Sequence, residues 1–479
     1  MRVLFVSSEV APFAKTGGLG DVGGALPKAL RAQGHDVRVV LPLYRRVREG
    51  GFALDTAIPK LEVQLGHRTY AFATLRSTLP GTDVPIYFVH CPALFDRPGI
   101  YTQDADEHVR FALLSWAALR IAQQLRFAPD IVHANDWQTA LLPLLLGSVF
   151  AWDRLFSRTR TVLTIHNIGH QGTFGAHVVP ELGLSEAASQ FHQDQLREGR
   201  VSMLLTGILY ANAITTVSPT YAAEITTPEH GVGLDGFLRA RRDVLFGILN
   251  GIDDQVWSPS RDPHLPFHFS ADDLTGKEEC KQFLLRTVGL PYRRGVPLFG
   301  IVSRLAWQKG FDLCFDVLPA LLAQREVQLV VLGSGEPKYE ELFSHLARMV
   351  PHKVAFKNAF SEPLAHLIEA GSDLFLMPSR YEPCGLNQLY SLAYGTPPIV
   401  HATGGLADTV RTWDASAGKG NGFAFEHFDA RGLTWAIRYA LDQWGDRAAW
   451  RRLQQNGMRE DFSWGRRVRE YSALYSQLV

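Results

Sequence analysis

The sequence predicts an α/β protein with two Rossmann-like, doubly wound domains. Short apolar runs recur through the first half of the chain and alternate with segments of helical periodicity such as Phe111–Leu125. Runs that are apolar on both faces are typical of parallel strands covered by helices. A second series of such runs begins at Leu298. Since open α/β sheets bind ligands at the carboxyl ends of their strands, two such domains are expected to face a substrate cleft.

The apolar runs define the expected strands. In the first half these are Val3–Val6, Val37–Leu41, Ile86–Val89, Ile131–Val132, Val162–Ile165 and Ala213–Val217. In the second half they are Leu298–Val302, Leu329–Leu332, Val354–Phe356, Leu374–Met377 and Pro398–Val400. A Pro-, Asp- and Ser-rich stretch from Asn250, followed by a helical segment around Lys277–Thr287, indicates a linker. The predicted organisation is a domain over 1–250, a domain over 251–455 and a C-terminal helix, 456–479, able to cross back to the first domain.

Composition excludes several function classes. The 48 Lys and Arg residues balance 48 Asp and Glu residues, so no global positive field attracts nucleic acid or an anionic membrane. The four cysteines show no spacing suited to zinc or to a disulfide framework, which favours reduced thiols in the cytoplasm. The apolar start of MRVLFVSSEV is too short for a signal peptide, and the apolar run Ala140–Trp152 predicts a buried helix rather than a membrane span.

A glycine-rich segment, KTGGLGDVGG, follows the first predicted strand. Its formal GxGxxG pattern, which begins at Gly18, favours a dinucleotide site only weakly, because it stands too far from the strand and the second predicted strand does not end in an acid. The N–H groups at such a helix start bind phosphate or sugar oxygens, and Lys15 adds a positive charge. The alternative is a turn that needs glycine for its backbone alone.

In the second half, SRLAWQKG places Arg304 and Lys309 just after the predicted strand that ends at Val302. When the glycosidic bond of a nucleotide sugar breaks, negative charge grows on the diphosphate, and fixed cations stabilise that charge more than the ground state. An Arg and a Lys together can do this without a metal ion. The alternative is a pair of exposed cations on a surface turn.

Another segment of the second half, SRYEPCGL, places Glu382 beside a helix start at about Gly385. A carboxylate there can hold sugar hydroxyls, while the N–H groups of Gly385 and Leu386 can meet hydroxyl or phosphate oxygens. The alternative for Glu382 is a helix cap, and Cys384 is expected to be a small packing residue at the edge of the site. A second glycine-opened helix start is expected at Thr403, Gly404 and Gly405.

Two polar residues of the first half, Asp136 and His166, follow predicted strands. A lone His is more often structural, and an Asp before an aromatic residue is often a cap. Their position at the ligand-binding edge of the sheet favours a functional role for both. Asn250, in the NGID segment between the two halves, either meets a sugar or makes a turn before Gly251.

Five segments together resemble the motifs of bacterial glycogen synthases and plant starch synthases, in the same order and over nearly the whole chain. They are KTGGLGDV at 15–22, HANDW at 133–137, NGID at 250–253, SRLAWQKG at 303–310 and EPCGL at 382–386. The resemblance implies the two-domain glycosyltransferase-B fold and retaining transfer of glucose from ADP-glucose to the non-reducing end of an α-1,4-glucan, which elongates glycogen. It implies neither a metal ion nor a cofactor. The implied partners are the donor and the glucan, without nucleic acid or membrane.

The resemblance also implies roles for individual residues. Lys15 and the loop at Gly18 resemble the donor-binding signature of the family, and Arg304 with Lys309 resembles its diphosphate clamp. The residues that resemble the sugar-binding loop of the family are Glu382, Cys384, Gly385 and Leu386. Family members place certain residues around the transferred glucose and the incoming acceptor. In this chain the residues that resemble them are Asp136, His166, Asn250 and, on the acceptor side, Asp21. The implied mechanism is a front-face return in which the leaving phosphate deprotonates the acceptor.

The chain departs from the family pattern at two positions. Asn387 stands where many relatives have Thr, and Tyr390 stands where many retaining relatives have a second Glu. Three alternatives remain at this stage: an NAD-dependent oxidoreductase suggested by GLGDVG, a non-catalytic glucan-binding protein suggested by ten tryptophans, and another retaining transferase of the same fold.

Overall fold

The computed structural model describes residues 1–479, which form two compact units. Unit 1 comprises Met1–Gly251 and Trp464–Val479, and unit 2 comprises Ile252–Ser463. Each unit has its own mainly parallel sheet covered by helices, so the predicted α/β class with two Rossmann-like sheets is confirmed. None of the helices is both long and apolar enough to span a bilayer.

Every strand predicted from the apolar runs is present. The strands are β1 Arg2–Val6, β2 Asp36–Pro42, β3 Asp55–Leu65, β4 Arg68–Thr78, β5 Pro85–His90, β6 Ile131–Asn135, β7 Arg160–Ile165, β8 Thr173–Gly175, β9 Arg200–Ser202, β10 Ala213–Thr216, β11 Leu245–Gly247, β12 Leu298–Val302, β13 Gln328–Leu332, β14 Val354–Lys357, β15 Leu374–Met377, β16 Pro398–His401 and β17 Phe423–Phe425.

Helices connect these strands, together with short 3-10 turns. The α-helices are α1 Gly18–Ala32, α2 Arg45–Glu49, α3 Pro92–Phe95, α4 Glu107–Gln124, α5 Leu142–Gly147, α6 Gln193–Arg197, α7 Met203–Tyr210, α8 Pro219–Glu224, α9 Asp235–Ala240, α10 Thr275–Val288, α11 Cys314–Gln324, α12 Pro337–Met349, α13 Glu362–Gly371, α14 Asn387–Ala393, α15 Gly404–Thr409, α16 Ala430–Trp444, α17 Arg447–Met458 and α18 Trp464–Leu478.

The main sheet of unit 1 has the strand order β11-β10-β7-β6-β1-β2-β5-β4-β3. The strands from β11 to β5 are parallel, and the central strand β1 pairs with β2 on one side and with β6 on the other. The chain therefore leaves β1 in one direction and returns to its other side with β6. Loops after β1 and β6 splay apart at such a switch point and leave room for a ligand at the carboxyl edge.

The sheet of unit 2 has the order β14-β13-β12-β15-β16-β17, and all of its pairings are parallel. Its switch point lies between β12 and β15, because the chain runs outward from β12 through β14 and returns with β15. The strands are buried on both faces, with Leu329, Val330 and Val331 at most 2% exposed. Continuous apolar strands of this kind are required where helices cover both faces of a sheet.

The C-terminal helix α18 belongs to unit 1 and is tied to its sheet by a buried histidine. His133 of β6 lies 2.6 Å from the hydroxyl of Tyr475 through Nδ1 and 2.6 Å from Thr164 Oγ1 through Nε2. A second contact to α18 comes from His35, which lies between α1 and β2: its Nε2 is 3.0 Å from Ser472 Oγ. Burial lowers the pKa of His133 to about 3, so the ring is neutral and each nitrogen has one hydroxyl partner. His133 of the HANDW segment is therefore a structural residue.

Two features differ from the prediction based on apolar runs. An antiparallel hairpin, β3 and β4, extends the sheet beyond β5. Its strands alternate polar and apolar residues because one face is exposed, and Pro59 occurs where the register shifts between Ile58 and Leu61. In addition, the run Ala140–Trp152 contains only the short helix α5, and Trp152 is 75% exposed. The prediction of one buried helix over this run was wrong, because the chain turns after Gly147.

Replacement of Tyr475 by Phe is expected to loosen the docking of α18. The change leaves Nδ1 of buried His133 without its partner, which costs about 1 to 3 kcal/mol. Hydrogen exchange of the backbone amides of 464–478 is therefore expected to accelerate. The control is Tyr70→Phe on strand β4 of the hairpin, where the side chain is half-buried. Unchanged exchange in Tyr475→Phe would show that this hydrogen bond does not hold the helix.

Candidate functional site

An ion pair joins the two loops at the switch point of unit 2. Lys309, which follows β12, donates from Nζ to Oε2 of Glu382, which follows β15, at 2.6 Å. The side chains are 18% and 7% exposed. Ser379 donates to the same carboxylate oxygen at 2.9 Å. Oε1 of Glu382 is thus left to accept hydrogen bonds from a ligand.

Arg304 lies in the same loop as Lys309 but is exposed. Its backbone neighbour Leu305 is fully buried and its N–H donates to the carbonyl of Ser334 at 2.8 Å, so the loops after β12 and β13 are packed together. An exposed guanidinium on a buried, hydrogen-bonded backbone is well suited to bind an anion at low conformational cost.

Glycine backbones hold this ion pair in place. Gly310 has φ +71° and packs against the carbonyl of Pro378, where any Cβ would collide. Gly404, with φ +46°, packs in the same way on the carbonyl of Glu382, and Gly405 packs on Cys384. The N–H of Gly405 also donates to the Glu382 carbonyl at 3.0 Å. The loops after β12, β15 and β16 therefore pack backbone against backbone. A side chain at any of these glycine positions would prevent that contact.

The predicted helix start after Glu382 lies two residues later than expected, since α14 begins at Asn387 and Gly385 precedes it with φ +74°. The side chain of Asn387 donates to the carbonyl of Val302 at 2.5 Å, which ties α14 to the end of β12. The ring of Tyr390 stacks on Trp257, with 3.7 Å between ring centroids. The two residues that depart from the family pattern are thus engaged in packing within unit 2.

An exposed aromatic residue at the same sheet edge was missed. Phe360 follows β14 and is 89% exposed. In the strand order, the loops after β14 and β13 lie on one side of Lys309 and the loop of Glu382 lies on the other. A large exposed apolar side chain at a ligand-binding edge is a signal of binding, and the signal becomes visible only when the order of the strands is known.

The switch point of unit 1 is organised by Glu9, a second residue that the sequence prediction missed. Glu9 follows β1 and is 3% exposed. Its carboxylate accepts hydrogen bonds from the N–H of Thr16 at 2.5 Å, the hydroxyl of Thr16 at 2.7 Å and the N–H of Gly17 at 3.3 Å. The hydroxyl of Tyr101 donates to it at 2.6 Å. An acid directly after the first strand, in the segment SSEV, was the available signal.

Glu9 thereby anchors the glycine-rich segment that opens α1. Gly18 is the first residue of α1, and Gly17 before it is extended. Gly23 packs on the carbonyl of Glu9, where a Cβ would collide. The structure pairs Lys15 with Asp21 at 2.6 Å, and both side chains are partly exposed. Lys15 is therefore held by a carboxylate rather than extended freely into solvent.

Asp136 and His166 meet at the carboxyl ends of β6 and β7. Oδ1 of Asp136 accepts a hydrogen bond from the N–H of His166 at 2.7 Å, and Nε2 of His166 lies 3.0 Å from Oδ1 of Asn135. Burial lowers the pKa of His166 to about 3, so its ring is neutral, Nε2 donates to Asn135, and Nδ1 is an acceptor. Burial also raises the pKa of Asp136 to about 7.

The backbone of Asp136 is also strained, with φ 54°, a conformation that non-glycine residues rarely adopt. Burial is the main cause of the raised pKa of Asp136, and the charge of Glu9, which follows β1 of the same sheet, adds to it. Strain and a shifted pKa at the ligand-binding edge are both typical of functional sites.

Asn250 lies at the end of unit 1 and is 4% exposed. Its amide oxygen is buried without a hydrogen-bond partner in the protein. Because buried polar atoms are nearly always satisfied, this oxygen is suited to accept a hydrogen bond from a ligand.

Two other features of the chain bear on chemistry. No group of three or more His, Cys, Asp or Glu side chains is arranged to hold a metal ion. None of the four cysteines forms a disulfide and all are buried, including Cys384 beside Glu382.

Comparison with known proteins gives consistent matches along the chain. The family model described as starch synthase catalytic domain matches residues 2–240, and the model described as glycosyl transferases group 1 matches residues 291–457. Proteins named glycogen synthase are similar over 100% of this chain: one from Anaeromyxobacter dehalogenans is 50% identical over 100% of its length, and one from Myxococcus xanthus is 47% identical over 100% of its length.

Two solved structures are also similar. The catalytic domain of starch synthase IV from Arabidopsis thaliana, bound to ADP and acarbose, has a TM-score of 0.91 and 35% identity and covers 99% of both chains. A sucrose-phosphate synthase from Thermosynechococcus elongatus has a TM-score of 0.60 and 18% identity, covers 100% of this chain and 98% of its own, and shares the fold alone.

Replacement of Asp136 by Asn is expected to stabilise the protein at alkaline pH. The pKa of Asp136 is about 7 in the folded chain, compared with 3.8 for an ordinary Asp side chain. Between about pH 4 and pH 7 the folded state therefore binds more protons than the unfolded state. Stability is therefore lost as the pH rises from about 4 to 7, and the Asn side chain removes that loss. We expect a gain on the order of 2 to 4 kcal/mol at pH 8, vanishing by pH 4, in urea unfolding.

The matched control for this prediction is Asp130→Asn. The hydrogen bond and charge of Arg2 lower the pKa of Asp130 despite its partial burial, so its replacement is expected to destabilise the protein above pH 4. A loss of stability in Asp136→Asn at pH 8 would contradict the assignment of a raised pKa.

Proposed function

This chain belongs to the family of glycogen synthases and starch synthases, and on that premise we propose that it transfers glucose from ADP-glucose to the non-reducing end of an α-1,4-glucan, elongating glycogen. The observation that carries the assignment of the site is the pair of Lys309 and Glu382 across the switch point of unit 2, beside exposed Arg304. The family membership excludes the nicotinamide-dependent and non-catalytic alternatives. We further propose that the enzyme acts in the cytoplasm, which four cysteines without a disulfide support.

The donor is proposed to bind along the carboxyl edge of the sheet of unit 2. Arg304 and Lys309 hold the diphosphate, which lies over the end of β12. Glu382 accepts hydrogen bonds from the glucose through Oε1, and the backbone N–H groups of Gly385 and Leu386 contact hydroxyl or phosphate oxygens. The loop of Thr403, Gly404 and Gly405 supports this side of the site through its contact with Glu382.

The order of the strands supports an orientation for the donor. With the diphosphate over β12 and the sugar toward β15, the nucleoside extends toward β13 and β14. The exposed ring of Phe360 is then proposed as the surface on which the adenine stacks.

The transfer step needs stabilisation of the leaving diphosphate more than any other contribution. The bond between C1 of glucose and the β-phosphate oxygen breaks, the acceptor O4 bonds to C1 on the same face, and the O4 proton passes to the departing phosphate oxygen. The products are ADP and a glucan longer by one glucose. Arg304 and Lys309 stabilise the charge that develops on the phosphate, so their effect is greatest in the transition state.

Residues of unit 1 are proposed to contact the sugars. Asp136, the Nδ1 acceptor of His166 and the amide oxygen of Asn250 provide acceptors for sugar hydroxyls, and all three residues are buried. Lys15 and Asp21, at the glycine-rich start of α1 near Gly18, provide a paired cation and anion for the donor phosphates and the acceptor hydroxyls. Glu9 positions this segment by its hydrogen bonds to Thr16 and Gly17.

Loss of either member of the ion pair is expected to abolish most of the activity. In Lys309→Ala and Glu382→Ala, incorporation of radiolabelled glucose from ADP-glucose into precipitated glycogen is expected to fall at least about 100-fold, since each variant removes an interaction with the reacting group. Exposed Lys419 of unit 2 gives the control, Lys419→Ala, with unchanged activity. Near-normal rates in either test variant, with circular dichroism unchanged, would remove that residue from the site.

The proposed role of Phe360 has its own test. Phe360→Ala is expected to raise the KM for ADP-glucose about tenfold with kcat nearly unchanged, because base stacking on an aromatic ring contributes about 1 to 3 kcal/mol of binding in ground and transition states alike. Phe283→Ala, at another exposed ring of unit 2, is the control. A fall in kcat without a change in KM would contradict a base-stacking role.

A further inference from the structure

Helix α16 of unit 2 presents an unusual face to solvent. One side of this helix packs into the core through Leu433, Ala436, Ile437 and Ala440, all at most 1% exposed. The opposite side would be expected to carry only polar residues, yet it contains Trp435, which is 51% exposed. A shallow groove of about 490 Å³ lies along this side.

The groove contains a preorganised aromatic platform. Trp435 stacks on Tyr439, with ring centroids 5.7 Å apart and planes inclined by 21°. The position of Tyr439 is fixed by two contacts. Its hydroxyl donates to the carbonyl of Trp413 at 2.9 Å, and its ring packs edge to face with Phe423, with 5.7 Å between ring centroids. A flat apolar surface that is already ordered binds a ligand with little further loss of side-chain entropy.

Polar side chains surround this platform. Arg431 and Thr434 precede Trp435 by four and one positions, and Arg438 and Asp442 follow on the same face. The side chains of the two arginines and of Asp442 form no ion pair or hydrogen bond within the protein, so donors and an acceptor are available together. A groove with charges of both signs and a hydroxyl is suited to an uncharged ligand rich in hydroxyl groups.

We propose that this face of α16, defined by Arg431, Thr434, Trp435, Arg438, Tyr439 and Asp442, is a second binding site for the α-1,4-glucan, separate from the residues assigned to transfer. The inference rests on the proposed function, which makes a polymer of glucose the acceptor. The apolar face of a glucose ring stacks on Trp435 and Tyr439, while its hydroxyls meet the arginines and Asp442.

The length of the site fits a polymer better than a single sugar. From Arg431 to Asp442 the face extends about 16 Å along the helix. A polymer offers many equivalent glucose units, so a chain end in the transfer site and another stretch on α16 can engage one enzyme molecule together. The second contact raises the local concentration of chain ends and strengthens binding of long glucans without any effect on short ones.

Native gel electrophoresis with glycogen in the gel tests the proposal without any need for turnover. The variants are Trp435→Ala and Trp435→Leu, the second of which keeps an apolar side chain against Tyr439 but has no flat ring. Trp152→Ala, at an exposed tryptophan of unit 1, is the matched control. Retardation by glycogen is expected to weaken at least about fivefold in both Trp435 variants and to remain unchanged in the control.

Kinetics separate this proposal from the proposed function. With maltotriose as acceptor, the Trp435 variants are expected to transfer glucose from ADP-glucose at the rate of the parent, whereas their KM for glycogen rises several-fold. An absence of transfer in the parent would refute the proposed function, whatever the gels show. Equal retardation of parent and Trp435 variants, an unretarded parent, or an equal loss in Trp152→Ala would each overturn the site on α16.

Discussion

The ion pair of Lys309 and Glu382 is the interaction on which the proposed chemistry of unit 2 depends. It lies at the one place in the sheet where loops diverge, between β12 and β15, and both side chains are largely buried. A buried carboxylate without its cation is costly, so each residue fixes the position of the other. Oε2 is engaged by Lys309 and Ser379, so Glu382 keeps its other oxygen for the proposed sugar contact, and Lys309 is held at the position proposed for the diphosphate.

The glycines explain how the loops that carry this site come together. Gly310, Gly404 and Gly405 allow three loops to pack backbone against backbone around Glu382. In unit 1, Glu9 has the equivalent task, because its carboxylate gathers the amides of Thr16 and Gly17 at the start of α1. In both units contacts within the protein fix these positions, which reduces the reorganisation required in the transition state.

Much of the fold was predictable from the sequence, because strands buried on both faces appear as continuous apolar runs. The hairpin of β3 and β4 was missed since its exposed face breaks that pattern. For the site, residues directly after apolar strands were accessible to prediction, as with Lys309, Glu382 and Asp136. Phe360 was not, because its relation to Lys309 depends on the strand order β14-β13-β12. The partners of Lys15 and Tyr390 likewise arise from tertiary packing that no local pattern encodes.

A double-mutant cycle on ADP binding tests most directly whether Lys309 serves both Glu382 and the nucleotide. The four proteins are the parent, Lys309→Met, Glu382→Gln and the double variant, with affinities from titration calorimetry. If Glu382 positions Lys309 for the diphosphate, the two effects are coupled by at least about 1 kcal/mol, and Glu382→Gln has little effect once Lys309 is absent. Additive effects, or an ADP affinity that is unchanged in Lys309→Met, would contradict this assignment of the site.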